Sequence, residues 1–288
     1  MLPVTGLVVA ACGGVSHSVR TDLPMPVTVA VLPFAGPAAG ELRASARQLV
    51  HSRLQARGYA APELAHVDRV LSERGWLADP DRFDAARIEP AAVIGALGVD
   101  AVVFGTDVDL SSFNVVLLRR QAVGGRFALV DAQRRELWQA DHAAGSFGGF
   151  LLTSGQVFTE LRAQGEHGTP MATLALVDEL VADVVGTVPE RPRQEPSAAP
   201  PTLGAVTLAR SANADGSDRL VVEVLATAGA DCRCDVPPFA LGVPMVALPD
   251  APERQRGCLD VARGAVPDTV VVVARDAFGR TARAEGGR

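Results

Sequence analysis

The stretch VDAVVFGTDVDL, Val99 to Leu110, decides the fold. Its first half is apolar apart from Asp100, as a buried strand requires, and its second half alternates, exposing Asp107 and Asp109. Just upstream, residues 89–97 read as a short helix with Pro90 in its first turn and Gly98 at its end. Further back, residues 27–34 (VTVAVLPF) form another buried strand, closed by a proline and a Gly-Pro turn. Between the two strands, residues 41–57 place Leu42, Ala46, Leu49, Val50 and Leu54 on one helical stripe. Glu41 suits that helix's positive end, and Gly58 stops it. Residues 59–61 read as a short strand, and residues 66–74 as a helix turned inward through Val67, Val70 and Leu71. This alternation predicts an α/β domain, a mixed sheet with flanking helices, over residues 27–188.

Downstream, residues 115–122, 126–131 and 136–142 read as a meander turning at Gly124-Gly125 and again at Asp131 to Arg135. Residues 145–168 are rich in glycine yet carry Phe147, Phe150, Leu151, Leu152, Val157 and Phe158. Exposed, such side chains are costly unless a partner, a membrane or the domain itself covers them, so Phe147, Phe150, Leu151 and Leu152 are candidate partner contacts. A helix follows over 169–185, capped by Thr169, with Pro170 in its first turn. Residues 189–203, which open PERPRQEPSAAPP, form a proline-rich linker. Beyond it, residues 204–288 show only short strands, at 205–210, 220–225, 244–248 and 269–275, separated by turns such as 213–216 and 276–279. That pattern predicts a small all-β, immunoglobulin-like domain.

The chain opens with a short apolar run ending LVVAAC, residues 7–12. Small residues directly before a cysteine resemble a bacterial lipoprotein signal. The resemblance implies a signal peptide over 1–11, cleavage before Cys12, acylation of Cys12 by palmitate-type chains, and a tether over 12–26. Gly13, where aspartate would favour retention at the inner membrane, points to the outer membrane, with the protein lipid-anchored and facing the periplasm. The first basic residue is Arg20, so the cationic start of a secretory leader is missing from residues 1–11. The run is far shorter than the ~20 apolar residues of a membrane-spanning helix.

A formal charge of −6 over 288 residues argues against nucleic-acid binding. Every basic residue is arginine. Beyond Cys12 the chain has Cys232, Cys234 and Cys258, and in an oxidising envelope Cys258 is expected to pair with Cys234 or with Cys232. A zinc site on these three lacks a fourth ligand. No metal or other cofactor is called for.

Three segments taken together are familiar: VAVLPF (29–34) with a helix ending RGY (57–59), GVDAVVFG (98–105), and LVDAQRRELW (129–138). In this order they resemble the envelope lipoproteins of the neisserial GNA-type family and the periplasmic domain of the curli-secretion lipoproteins. The N-terminal domain of the Tol-system beta-propeller protein is similar in architecture. The resemblance implies an α/β domain for protein–protein contact in the envelope, with no catalytic residues to carry over. Long membrane-crossing hairpins of the curli-secretion kind are not evident, which disfavours a pore.

No constellation of residues declares an enzyme. His17, His51, His66, His142 and His167 stand in no metal-ligand spacing, and Ser154-Gly155 lacks the upstream glycine of a nucleophile elbow. Asp107 and Asp109 share a strand face and could hold a cation or act as an acid/base pair. The leading expectation is a non-enzymatic, membrane-anchored lipoprotein that binds envelope proteins in an assembly or export complex, with homo-oligomerisation open. The rivals are a periplasmic enzyme built on Asp107, Asp109 and a histidine, and a small-ligand or glycan binder using Phe239 and Phe278. Trp76 and Trp138 are expected in the core.

Overall fold

The computed structural model describes residues 14–79, 83–115, 118–149, 170–196 and 199–286. The chain divides into two compact units, Met1–Glu195 and Pro196–Arg288.

The first unit contains strands β1 (Ser16–Val19), β2 (Val29–Val31), β3 (Ala101–Val115), β4 (Leu118–Asp131) and β5 (Glu136–Gly149). They form one sheet in the order β1-β5-β4-β3-β2, with β2 parallel to β3 and the other neighbours antiparallel. Helices α1 (Gly40–Ala56), α2 (Leu64–Glu73), α3 (Pro90–Leu97) and α4 (Pro170–Gly186) surround it. One face of the sheet (Ala101, Val103, Val123, Phe127, Leu129, Trp138) packs on Leu42, Ala46, Val50 and Leu54 of α1 and on Val177, Leu180, Val181 and Val184 of α4. The alternate positions Ala30, Leu32 and Val102 are buried too, and α2 and α3 contact β2 and β3. Burial on both faces is why β3 opens with the unbroken apolar run Ala101, Val102, Val103 and Phe104.

The register at this parallel pair is fixed by one aspartate. Asp100 Oδ2 accepts the Val27 and Thr28 amides at 3.0 and 2.8 Å, and Thr28 Oγ1 accepts the Asp100 amide at 2.9 Å. The outer edge of β2 is covered by α1 rather than by another long strand. Arg47 donates through Nε and Nη2 to the Val31 carbonyl at 3.1 and 3.0 Å, and Arg43 donates to the Phe34 carbonyl at 3.3 Å. Both guanidinium groups are buried, and Arg47 also meets Asp68 at 2.7 Å.

Three features of this unit differ from expectation. Residues 16–19, read as part of a tether, are strand β1, paired with β5 from Ser16↔Asp141 to Val19↔Trp138. Gly124 and Gly125 do not turn the chain: they lie inside β4, where Asp107 and Val108 together stand against Gly125 in a β-bulge. Glycine suits that site because a Cβ at Gly125 would come within 3.3 Å of Phe127 and Val108, and Asp107 takes the left-handed φ of +55°. Finally, β3, β4 and β5 run 15, 14 and 14 residues, longer than the segments expected from the sequence. The second expected turn does form, with Asp131 Oδ1 accepting the Gln133 and Arg135 amides at 2.9 Å each.

Residues 188–191 lie along the same unit. Arg57 donates to the Val188 carbonyl at 2.8 Å, Tyr59 Oη to the Pro189 carbonyl at 2.9 Å, and the Arg191 amide to the Arg57 carbonyl at 3.0 Å. Arg191 also donates to the carbonyls of Met25 and Pro26.

The second unit holds β6 (Thr207–Ala212), β7 (Asp218–Leu225), β8 (Asp231–Val236), β9 (Ala240–Pro244), β10 (Val246–Leu248), β11 (Ala251–Val261), β12 (Val270–Arg275) and β13 (Thr281–Gly286). They make two antiparallel sheets, β10-β11-β7-β6 and β13-β12-β8-β9. Leu220, Val222 and Val224 of one sheet share a core with Cys232, Cys234, Val236, Val270 and Val272 of the other. The turns foreseen at 213–216 and 276–279 are present, with Gly216 at φ +86° and Gly279 at φ +78°.

Candidate functional site

On the first unit, the face of β4 and β5 away from α1 and α4 leaves an open groove of about 360 Å³. Phe104, Ala128 and Val130 give it an apolar floor, and Thr106, Arg126 and Gln139 supply polar groups. Ala86, Ile88 and Pro90 form one wall, from the 3₁₀ turn at Ala85–Arg87 and the start of α3. An Arg134–Glu89 ion pair crosses its rim, with Arg134 Nε at 3.1 Å from Glu89 Oε1. Thr106, Arg126 and Asp141 stand opposite one another across β3, β4 and β5, and Arg126 lies 3.4 Å from Asp141. On the same rung, Ser16 opens β1, so the groove lies level with the start of the sheet's first strand.

This lining can accept hydrogen bonds from an extended peptide, donate to its carbonyls and hold an apolar side chain. Little in the sequence warned of it, because Phe104, Thr106, Ala128 and Gln139 are ordinary strand residues. The one usable signal was the polar turn in VVFGTDVDL, where the buried run opens to solvent.

Asp107 and Asp109 flank Val108, which is fully buried, and both aspartates are exposed. Asp107 lies within the bulge at φ +55°, and Asp109 follows it, paired with Gly124. Neither lines the groove. Among the described residues, no group of three or more His, Cys, Asp or Glu side chains could hold a metal ion.

The histidines are dispersed. His51 faces the Pro62 carbonyl at 3.0 Å, and burial pushes its pKa down. His66 contacts Arg69 at 3.0 Å, and His142 meets Asp183 of α4 at 3.2 Å. His17 lies on β1, and His167 falls outside the described residues. Trp138 is buried as expected, its indole N–H donating to Thr187 Oγ1 at 2.9 Å, whereas Trp76 is only part-buried.

The three cysteines of the second unit are free thiols, so the expected bridge to Cys258 is not formed. Strand alternation explains this. Cys232 and Cys234 point into the core, while Gly257 takes the inward position on β11 and turns Cys258 outward. Burial raises both inward thiols to about 11. Phe239 and Phe278 form no shared aromatic platform: the pairing of β8 with β12 puts their loops at opposite ends of the sheet. Cys12, Phe150, Leu151 and Leu152 lie outside the described residues; Phe147 is on β5, with only its backbone described.

No protein-family model and no curated protein matches the chain. Among solved structures, the chain is similar to lipoprotein GNA1162 from Neisseria meningitidis, at 19% identity and a TM-score of 0.39, covering 49% of this chain and 96% of that one. It is similar to the PelC dodecamer from Paraburkholderia phytofirmans at 17% identity and a TM-score of 0.31, over 60% of this chain and 96% of that one. It is also similar to the hypothetical protein CT253 from Chlamydia trachomatis, at 16% identity and a TM-score of 0.32, over 55% and 96%. The resemblance expected from the motifs stands as a weak likeness of fold to proteins that include a neisserial lipoprotein.

Proposed function

We propose that the chain is a bacterial envelope lipoprotein, anchored through acylated Cys12 on the periplasmic side of the outer membrane, which binds other envelope proteins and performs no catalysis. The observation that carries this reading is the junction between the anchor sequence and the sheet. Cys12 stands four residues before Ser16, the first residue of β1, and Ser16 shares a rung with Asp141, Arg126 and Thr106. Four extended residues span at most about 14 Å. Acyl chains on Cys12 therefore hold the groove close to the membrane surface, where it meets partners that are themselves membrane-bound. Its mixed apolar and amide-like lining suits an extended segment of such a partner.

The second unit is read as an immunoglobulin-like sandwich. Counting β6 as the first strand, its sheets follow the A-B-E-D and C-F-G orders of that fold, with β9 added beside β8. Such a module extends the binding surface of an assembly or export complex.

The experiment is crosslinking in cells from a photoreactive residue at position 139, with position 72 on α2 as the comparison. An adduct to a second envelope protein, specific to position 139, is expected. An adduct only to a second copy of the chain would make the groove a self-association site, and no adduct would refute its role in binding.

A further inference from the structure

The turn that bounds the groove carries an arginine where its two counterparts in the chain carry glycine. Residues 131–135 join β4 to β5, with the Asp131 amide donating to the Arg135 carbonyl and the Arg134 amide to the Asp131 carbonyl. Residues 213–217 and 276–280 repeat that pattern between β6 and β7 and between β12 and β13. The likeness to 276–280 extends to side chains. Asp276 accepts the Phe278 and Arg280 amides as Asp131 accepts those of Gln133 and Arg135, and each aspartate holds the arginine that closes its turn at 2.6 Å. The fourth position is left-handed in all three turns, at φ +86° for Gly216, +78° for Gly279 and +59° for Arg134. A residue with a Cβ is strained there, so the side chain at 134 is kept for what it reaches.

What it reaches is the mouth of the groove. Arg134 Nε donates to Glu89 Oε1 at 3.1 Å and Nη2 donates to Glu89 Oε2, a two-point hold on a carboxylate. The two side chains are 62% and 52% exposed, and an ion pair so solvated returns less stability than a strained backbone costs. Bracing the groove wall therefore does not account for the arginine. The groove's charge does. Its lining holds Arg126 and Arg134 against a single carboxylate, Glu136. The carboxylates that those arginines meet, Asp141 and Glu89, stand outside the lining. A carboxylate arriving on a partner can take the place of Glu89, which returns to water, so the exchange leaves no charge buried and unpaired. Phe104, Ala128 and Val130 offer the same segment an apolar floor.

We infer that Arg134 is the specificity-determining residue of the groove, and that the extended partner segment it selects carries an Asp or Glu whose carboxylate displaces Glu89 from the guanidinium. This rests on the reading of the groove as a binding surface, and it adds which kind of segment the groove takes. Glu89 is then a competitor for the same guanidinium, and Arg126 gives the lining a second positive group.

Crosslinking in cells from position 139, carried out on the native chain, R134G and E89Q, tests it. R134G should keep its melting temperature within about 3 °C of the native chain, because glycine relieves the strain, yet give about tenfold less adduct. E89Q should give as much adduct as the native chain or more, since it removes the competing carboxylate. A pair that only braces the wall would lose adduct equally in both variants, and that result would overturn the inference, as would undiminished adduct in R134G. The partner segment mapped from the adduct is then synthesised as found and with its Asp and Glu replaced by Asn and Gln. The acidic form should bind the full chain about tenfold more tightly than the amide form, and the two should bind R134G alike. Equal binding of both forms to the native chain would also overturn it. An adduct confined to a second copy of the chain would overturn the choice of a separate partner. Absence of any adduct from the native chain removes the groove's binding role and this inference together, whereas an adduct that R134G leaves intact refutes only the part given to Arg134.

Discussion

Replacing Arg47 by methionine should cost the first unit about 2–3 kcal/mol. The guanidinium is buried and gives two hydrogen bonds, at 3.1 and 3.0 Å, to the carbonyl of Val31, a residue with no solvent exposure. Methionine fills a similar volume but donates nothing, so that carbonyl loses both bonds. An unsatisfied buried acceptor costs roughly 1–3 kcal/mol, more when its donor was charged. The lost ion pair adds a smaller part, because the Asp68 side chain is 40% exposed although its Oδ1 facing Arg47 is buried. Denaturant unfolding followed by tryptophan fluorescence isolates this unit, since Trp76 and Trp138 are the only tryptophans. For a unit of this size the melting temperature should fall by roughly 5–10 °C. Asp68→Asn should cost well under half as much. A loss below about 0.5 kcal/mol in R47M, or equal losses in the two variants, would refute the edge-covering role of Arg47.

Gly58 takes φ +93°, and a Cβ there would lie 2.1 Å from the Arg191 carbonyl oxygen. Gly58→Ala should therefore release residues 188–191, destabilise by about 1–3 kcal/mol and speed tryptic cleavage after Arg191; unchanged cleavage would contradict that close approach. His51 has a folded-state pKa pushed down mainly by burial, so the unfolded chain takes up its proton first. Its contribution to stability is complete above the unfolded value of ~6.5 and declines as pH falls below it. The stability advantage of the native chain over His51→Gln should shrink from pH 7 to 5.5, and a constant difference would count against this. At pH 8, N-ethylmaleimide should label Cys258 in the folded second unit and reach Cys232 and Cys234 only after unfolding. A mass 2 Da short of the reduced chain would instead reveal a disulfide.

The helices were legible because their stripes and stops are local. Leu42, Ala46, Val50 and Leu54 are all buried on α1, and Gly58 and Gly98 take the positive φ of helix ends. The strands of the first unit were legible where buried on both faces, and in part in the meander, whose segments 126–131 and 136–142 lie within β4 and β5. Strand β1 escaped because SHSV has no apolar alternation and is held by pairing with β5 rather than by burial. Gly124-Gly125 looked like a turn because a bulge and a hairpin ask for the same residue. In the second unit, β8 (DCRCDV), β11 (APERQRGCLDV) and β13 (TARAEG) were missed: their outward positions are charged, and the inward ones are small or polar, as with Ala282, Gln255 and Gly257. The groove was hidden for a different reason. It is made by register, which brings Thr106, Arg126 and Asp141 to one rung, and no local pattern encodes that.

The central claim is that the sheet hangs directly from an acylated Cys12. The N-terminal peptide of protein extracted from membranes, analysed by mass spectrometry, tests it most directly. The expected result is a peptide that begins at Cys12 and carries acyl chains, lost together with membrane retention in Cys12→Ala. A peptide spanning Ala11 and Cys12 with an unmodified thiol would contradict it.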